Sequence, residues 1–505
     1  MGRGAHRRAD DRAPLAHDPP PVGVVATPAR GDGAGDAPKD VGEEGLVRPV
    51  GERRVEERAG PVDQLHVHGG TLRPRGPGPA PSSVSRVESG RDSGRRAPTL
   101  SRIGDPVTIL LFAVALSSGF ATFGSVTALD DVARHFGHVV SGHSIQDVVG
   151  LSGSVLGLGL STLRASSLVA LPLASLADRR GRTPVLRATL VAGLLVTALA
   201  ALSPAYWFFV ACFAVARPLL GATSTLVQVV TVELSTRTHR MRLLAVMTAG
   251  TAIGSGLSAL VHGLIRGPDS FRWLFALALV PLALVAPWTR RLPEPRVRTG
   301  EHPMAHLGEV GHEAAGSVVR VAVVAFVIGV ATGPAGGFTF VYGEGVLRML
   351  PRSVALLVVV SGAAGFVGLV VGARLSATLG RRAAVAVGTL LTALASAYAY
   401  GGGRTAFIVG YVVGVGAGGV LAPSMAALAT EVFAHRYRAT AAGWIVVAGV
   451  AGAVAGFALF GYVADVVPAT VRTGLRVPAL VTFLPLLPAL WVLRGLPEGR
   501  DLELT

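Results

Sequence analysis

The sequence has almost no cysteine, almost no lysine and few charges of either sign. Cys212 is the single thiol in 505 residues, which excludes an internal disulfide framework and a cysteine-based metal site. Charged residues make up 15% and aromatic residues 6%, whereas 50% are hydrophobic and the mean hydropathy is +0.54. A soluble core could not enclose so much apolar sequence. The composition therefore points to a multi-span protein whose partner is the lipid bilayer. No nucleotide-binding loop, catalytic triad or metal-ligand cluster is found, which argues against an ATP-driven pump and an enzyme; no cofactor is implied. The net charge of +15 would suit a nucleic acid partner, but its distribution argues otherwise. Residues 1–104 hold 17 basic and 14 acidic residues, so +12 falls in the hydrophobic part, where arginines alternate with apolar runs as topology determinants do. Lys39 is the only lysine, and this use of arginine, with abundant Ala, Gly and Val, is associated with high-GC bacterial sequences.

Residues 1–104 are rich in Arg, Gly, Pro, Asp and Glu, without helical periodicity, and read as a disordered cytoplasmic tail. Twelve apolar runs come after it, at about 107–128, 148–177, 185–202, 206–231, 243–265, 271–289, 317–341, 353–375, 383–400, 405–430, 440–463 and 477–494. Each is long enough to cross a hydrocarbon core as a helix. The expected fold is all-α, with bundles at 105–290 and 317–497, a cytoplasmic linker at 291–316 and a cytoplasmic C-terminus at 498–505. Arginines cluster after the even-numbered runs, which puts both termini in the cytoplasm of a cell-membrane protein.

The two halves repeat each other. Gly181-Arg182 recurs 199 positions on as Gly380-Arg381, Glu233 and Arg240 recur as Glu431 and Arg438, and Leu292-Pro293-Glu294 recurs as Leu496-Pro497-Glu498. Three matches in one order at nearly one offset imply two six-helix bundles related by an axis along the membrane normal.

The stretch Leu176-Ala177-Asp178-Arg179-Arg180-Gly181-Arg182-Thr183 resembles the loop between helices two and three of the major facilitator superfamily. Glu431-Val432-Phe433 with Arg438, and the two Leu-Pro-Glu stretches, resemble its sugar and metabolite porter branch. The resemblance implies a secondary transporter moving a small-molecule solute by alternating access, symport with protons as a candidate coupling, and a monomer. It also implies that Asp178, Gly181, Arg182, Glu233 and Arg240, with Arg381, Glu431 and Arg438 in the second half, form a cytoplasmic latch. Helices two, five, eight and eleven carry glycine rows and are expected to form the contact between bundles. Gly333-Pro334-Ala335-Gly336-Gly337 stands where sugar porters carry a glutamine pair, which weakens a sugar assignment. Gly254-Ser255 stands where drug antiporters carry Gly-Pro, which weakens the alternative of an efflux antiporter. The other alternative is a receptor or scaffold on the same fold that transports nothing.

Arg164 and Arg217 fall near the middle of the second and fourth runs. A cation there costs roughly 2.5–3.5 kcal/mol, and no acid lies at mid-membrane depth to pair with it. Arg217 with Gly221 also matches the family's Arg-x-x-x-Gly in helix four. Both arginines are therefore expected to face a wet cavity that takes an anionic solute. His262, near the end of the fifth run, reads as a structural histidine.

Overall fold

The computed structural model describes residues 100, 102–139, 144–265, 267, 269–295, 312–431, 438–467 and 474–495, with side chains left out at 312–315, 317, 429–431 and 438–441. Residues 1–99 and the linker 296–311 lie outside them. Among the described residues twelve helices are long and apolar enough to cross a membrane. We label them α1 (Pro106–Thr127), α2 (Gly153–Arg180), α3 (Arg182–Leu202), α4 (Tyr206–Leu234), α5 (Arg240–Leu264) and α6 (Ser270–Arg291) in the first bundle. The second holds α7 (Val318–Gly337), α8 (Pro351–Thr378), α9 (Arg381–Tyr400), α10 (Arg404–Leu428), α11 (Ala442–Val466) and α12 (Arg476–Leu493). In α8 the mean hydropathy reaches 2.6, yet only 28% of the span is buried. Exposed apolar surface of that extent identifies lipid as the surrounding solvent.

Local chemistry sets where the spans break. The second run starts later than hydropathy alone indicates, because Gly150 takes a left-handed φ of +99° and ends a short helix, Ile145–Val149. The seventh ends earlier, at Gly337, and a π-helical turn Val341–Val346 comes next. Pro281 and Pro485 lack the N–H of a continuing helix, and α6 and α12 are each divided into shorter helices around them.

The internal repeat is visible in the backbone. Gly181 and Gly380 precede α3 and α9 with φ of +95° and +96°, a conformation that disfavours any side chain. Glycines also set helix pairs within bundles. Gly254 of α5 lies against the Leu116 backbone of α1, and Gly452 and Gly456 of α11 lie against the Phe326 and Val330 backbone of α7. Gly368 and Gly372 seat α8 on α10. This corrects the expectation that the glycine rows mainly face the other bundle: most let helices of one bundle approach closely. Gly153 and Gly157 of α2 against α11, Gly461 of α11 against α2, and Gly256 and Gly263 of α5 against α8 are among those that lie between bundles.

The ends of the helices form two chemically distinct faces. The arginine face carries the turns at Gly181 and Gly380. The acidic face, at the other ends of the same helices, carries Asp130, Glu344 and Asp465. Order begins earlier than 105: Leu100 is buried, its N–H donates to Leu234 O at 2.7 Å and its carbonyl accepts from Thr236 N. The tail boundary expected at 104 therefore moves to at least Leu100.

Candidate functional site

Between the bundles lies a cavity of about 220 Å³. Its walls are Thr122, Phe123 and Val126 of α1, Leu160 and Arg164 of α2, Arg217 of α4, Thr332, Gly333, Gly336 and Gly337 of α7, and Phe457 of α11. The structure thus brings Arg164 and Arg217 together on one wall. Each stands eleven residues inside its span, about 16 Å from the acidic-face end. Neither has an ion pair among the described residues, and the buried Nε of Arg164 has no hydrogen-bond partner. The α7 glycines on the opposite wall leave it nearly without side-chain hydrogen-bonding groups. A second cavity of about 250 Å³ meets the first at Thr332 and Gly336 and is lined by Thr392, Ser396, Tyr400 and Tyr411 of the second bundle. The space is therefore cationic on one side and hydroxyl-bearing on the other.

On the arginine face, some of the residues expected to form a latch make ion pairs with one another. Arg182 Nη2 lies 3.2 Å from Asp178 Oδ1 and Arg182 Nη1 2.6 Å from Glu233 Oε1. Arg240 stands apart: its Nε is buried without a partner and it makes no ion pair among the described residues. Glu294, to which the sequence assigns no role of its own, completes the group. Its carboxylate accepts from the backbone N–H of Arg182 at 2.6 Å and of Thr183 at 3.0 Å, capping α3. A signal for it is present, because Leu-Pro-Glu and Gly-Arg recur together at nearly one offset. In the second half Arg381 donates to Ser376 O at 3.1 Å. The side chains of Glu431 and Arg438 lie outside the described residues, as does the pairing expected of them; so does Glu498.

Among the described residues, the hydrogen bonds and ion pairs that join the bundles lie between mid-span and the acidic face. Ser161 of α2 donates to Val454 O of α11 at 2.8 Å. Nearer that face, Asp465 of α11 accepts from Gly153 N at 2.5 Å, Ser154 N at 2.9 Å and Ser154 Oγ at 2.5 Å, all on α2. His262 of α5 lies 3.1 Å from Glu344 Oε1 of the second bundle. His262, read from sequence as structural, has carboxylate neighbours from both halves.

Residues 111–349 match the sequence profile of the Major Facilitator Superfamily. No curated protein matches the chain in sequence. Among solved structures, the nucleoside transporter NupG superposes with a TM-score of 0.61 at 12% identity, covering 77% of this chain and 99% of its own. The xylose transporter XylE from E. coli, in an inward-open conformation, gives 0.58 at 17%, covering 78% and 96%. The human organic anion transporter MFSD10 gives 0.54 at 16%, covering 77% and 100%. At these identities the likeness establishes the fold. With twelve membrane-capable helices and a profile match over residues 111–349, the chain is a multi-pass membrane protein with the fold of the Major Facilitator Superfamily, a transporter and not an enzyme.

Proposed function

We propose that the protein moves a small anionic organic solute across the cell membrane by alternating access, with the arginine face in the cytoplasm. The observation that carries the reading is the cavity between the bundles, walled by two unpaired arginines. A buried guanidinium without a counter-charge is expensive in a membrane interior. A carboxylate or phosphate on the solute supplies that charge and matches the planar fork of arginine in a bidentate pair. The hydroxyls of Thr392, Ser396, Tyr400 and Tyr411 then face the uncharged part of the solute. A sugar is disfavoured, because the α7 segment that would supply amide side chains is Gly333 to Gly337.

The topology rests on the arginine clusters, which favour the cytoplasmic side. With the specific interbundle contacts of the described residues gathered toward the acidic face, we read the conformation as one with the outer gate shut. The ion pairs of Asp178, Arg182 and Glu233 then stay within the first bundle, free to reach across it when the arginine face closes. The solute class is tested by a thermal-shift screen of the purified protein against monocarboxylates, dicarboxylates, phosphate esters, neutral sugars and organic cations. Stabilisation by anions is expected; stabilisation confined to cations or neutral sugars would overturn the assignment.

A further inference from the structure

The acidic face holds a cluster of ionisable groups that the solute pathway does not use. Asp130, Asp131 and Arg134 come from the short helix Leu129–Phe136, His262 from the end of α5 and Glu344 from the turn Val341–Val346. Oxygens of the three carboxylates lie within 4.8 Å of one another. His262 Nε2 is 3.1 and 3.2 Å from the two Glu344 oxygens, and its Nδ1 is 3.4 Å from Asp131 Oδ2. Arg134 Nε donates to Asp130 Oδ2 at 2.7 Å, and the Ser270 hydroxyl donates to Asp131. Asp130 is only 2% exposed, and its other oxygen, Oδ1, has no hydrogen-bond partner and is closed in beside Gly345.

With every carboxylate ionised the arrangement is out of balance. Three negative charges face two cations at most, and only if His262 is protonated. A buried carboxylate oxygen with no donor is best satisfied by a proton of its own. The cluster is also a property of one conformation. Glu344 belongs to the second bundle and the other four residues to the first, so parting the bundles at this face separates them and lets water in.

We propose that the cluster is a proton-binding site assembled when the acidic face closes: closure takes up a proton from the medium on that side onto the Asp130–Glu344 carboxyl pair, and opening returns it. Burial pushes the Asp130 carboxyl up to about 7 despite the opposing Arg134, and burial raises Glu344 despite its bond from His262. In the open, hydrated state both return toward the ordinary carboxylate range near 4. Protons therefore favour the closed face; the advantage is complete below about pH 4 and is lost as pH rises through about 7. The other charged groups on the packed elements are engaged elsewhere or stand at the edge. Asp147 caps its own helix with Ser144. His135 pairs with Asp269, which also holds Arg272. Tyr342 donates to Gly402 O, Tyr206 to Val155 O, and Arg404 to the carbonyls of Leu347 and Arg348. Arg352 is exposed at the start of α8. On the proposed topology, external acid holds the transporter open toward the cytoplasm.

The proposal rests on the alternating-access reading but not on the solute. It is tested in the full chain in nanodiscs, with Cys212→Ser and spin labels on cysteines at Leu202 and Tyr398, exposed residues near the acidic-face ends of α3 and α9. Between pH 5 and 9 the ratio of open to closed distances should rise by up to about tenfold per unit for one proton, levelling above about 7. Asp130→Asn and Glu344→Gln should each flatten the titration, and together abolish it. A distance distribution that ignores pH in the unsubstituted cluster, or a response that persists in the double variant, would overturn the proposal. So would a response that tracks added Ca²⁺ or Mg²⁺ at fixed pH. If Asp465→Asn opens the face but pH does not, only the proton site fails; if neither moves the labels, alternating access itself fails. Poor folding of the variants leaves the wild-type titration to decide.

Discussion

Replacing Asp465 by Asn should open the acidic face. The Asp465 carboxylate holds the N-terminus of α2 across the bundle boundary through three hydrogen bonds, two from backbone N–H groups that have no partner within the helix. Hydrogen bonds to a charged acceptor contribute about 1.5–3 kcal/mol each, against about 0.5–1.5 for neutral ones, and a negative charge at a helix N-terminus adds about 0.3–1. Asparagine keeps one acceptor oxygen and loses the charge and the second. Asp465 is half-buried, so solvent screens part of the difference, leaving a net loss of about 2 kcal/mol, or roughly a 30-fold shift toward the open face. The assay is the distance between labels at Leu202 and Tyr398 at fixed pH, compared with a variant carrying the wild-type aspartate. An unchanged distribution in a well-folded Asp465→Asn protein would refute the reasoning, because the contact would then not distinguish the two states.

Two other outcomes are expected from the fold. Gly181→Ala forces a side chain into φ +95° with its Cβ 3.1 Å from the Glu294 carboxylate that caps α3, a cost of about 1–3 kcal/mol. The apparent melting temperature should fall by a few degrees, and Gly380→Ala should behave alike because the backbone repeats. Deleting residues 2–95 should leave membrane insertion and flux intact, whereas deleting 2–104 should lower the yield of folded protein, because it removes the buried Leu100 and its bonds to the end of α4; equal yields of the two truncations would argue against that contact.

The spans were legible because twenty apolar residues in a row have few places to go other than a bilayer, and the hydropathy runs meet the helices within a few residues. The repeat was legible because Gly181 and Gly380 satisfy a backbone requirement that leaves a mark in sequence. Arg164 and Arg217 stood out as cations in apolar runs, although nothing in the chain says that they share a wall. The acidic cluster was hidden. Asp130 and Glu344 are 214 positions apart, each at a helix end where a carboxylate is ordinary, and only the packing of the two bundles makes them neighbours. The glycine rows misled for a related reason: a missing side chain says that something comes close, and not which helix it is. Glu294 was visible as a motif but not as a cap, since its partners are backbone N–H groups that carry no sequence signature.

The claim that most needs testing is that the guanidinium wall of the cavity carries an anion. Initial rates of uptake into proteoliposomes, for the anion that best stabilises the protein, should be saturable and competed by other carboxylates or phosphates. They should fall at least tenfold in Arg217→Lys, which keeps the charge but loses the planar fork. Wild-type rates in Arg217→Lys, or transport of a cation in place of the anion, would contradict the account.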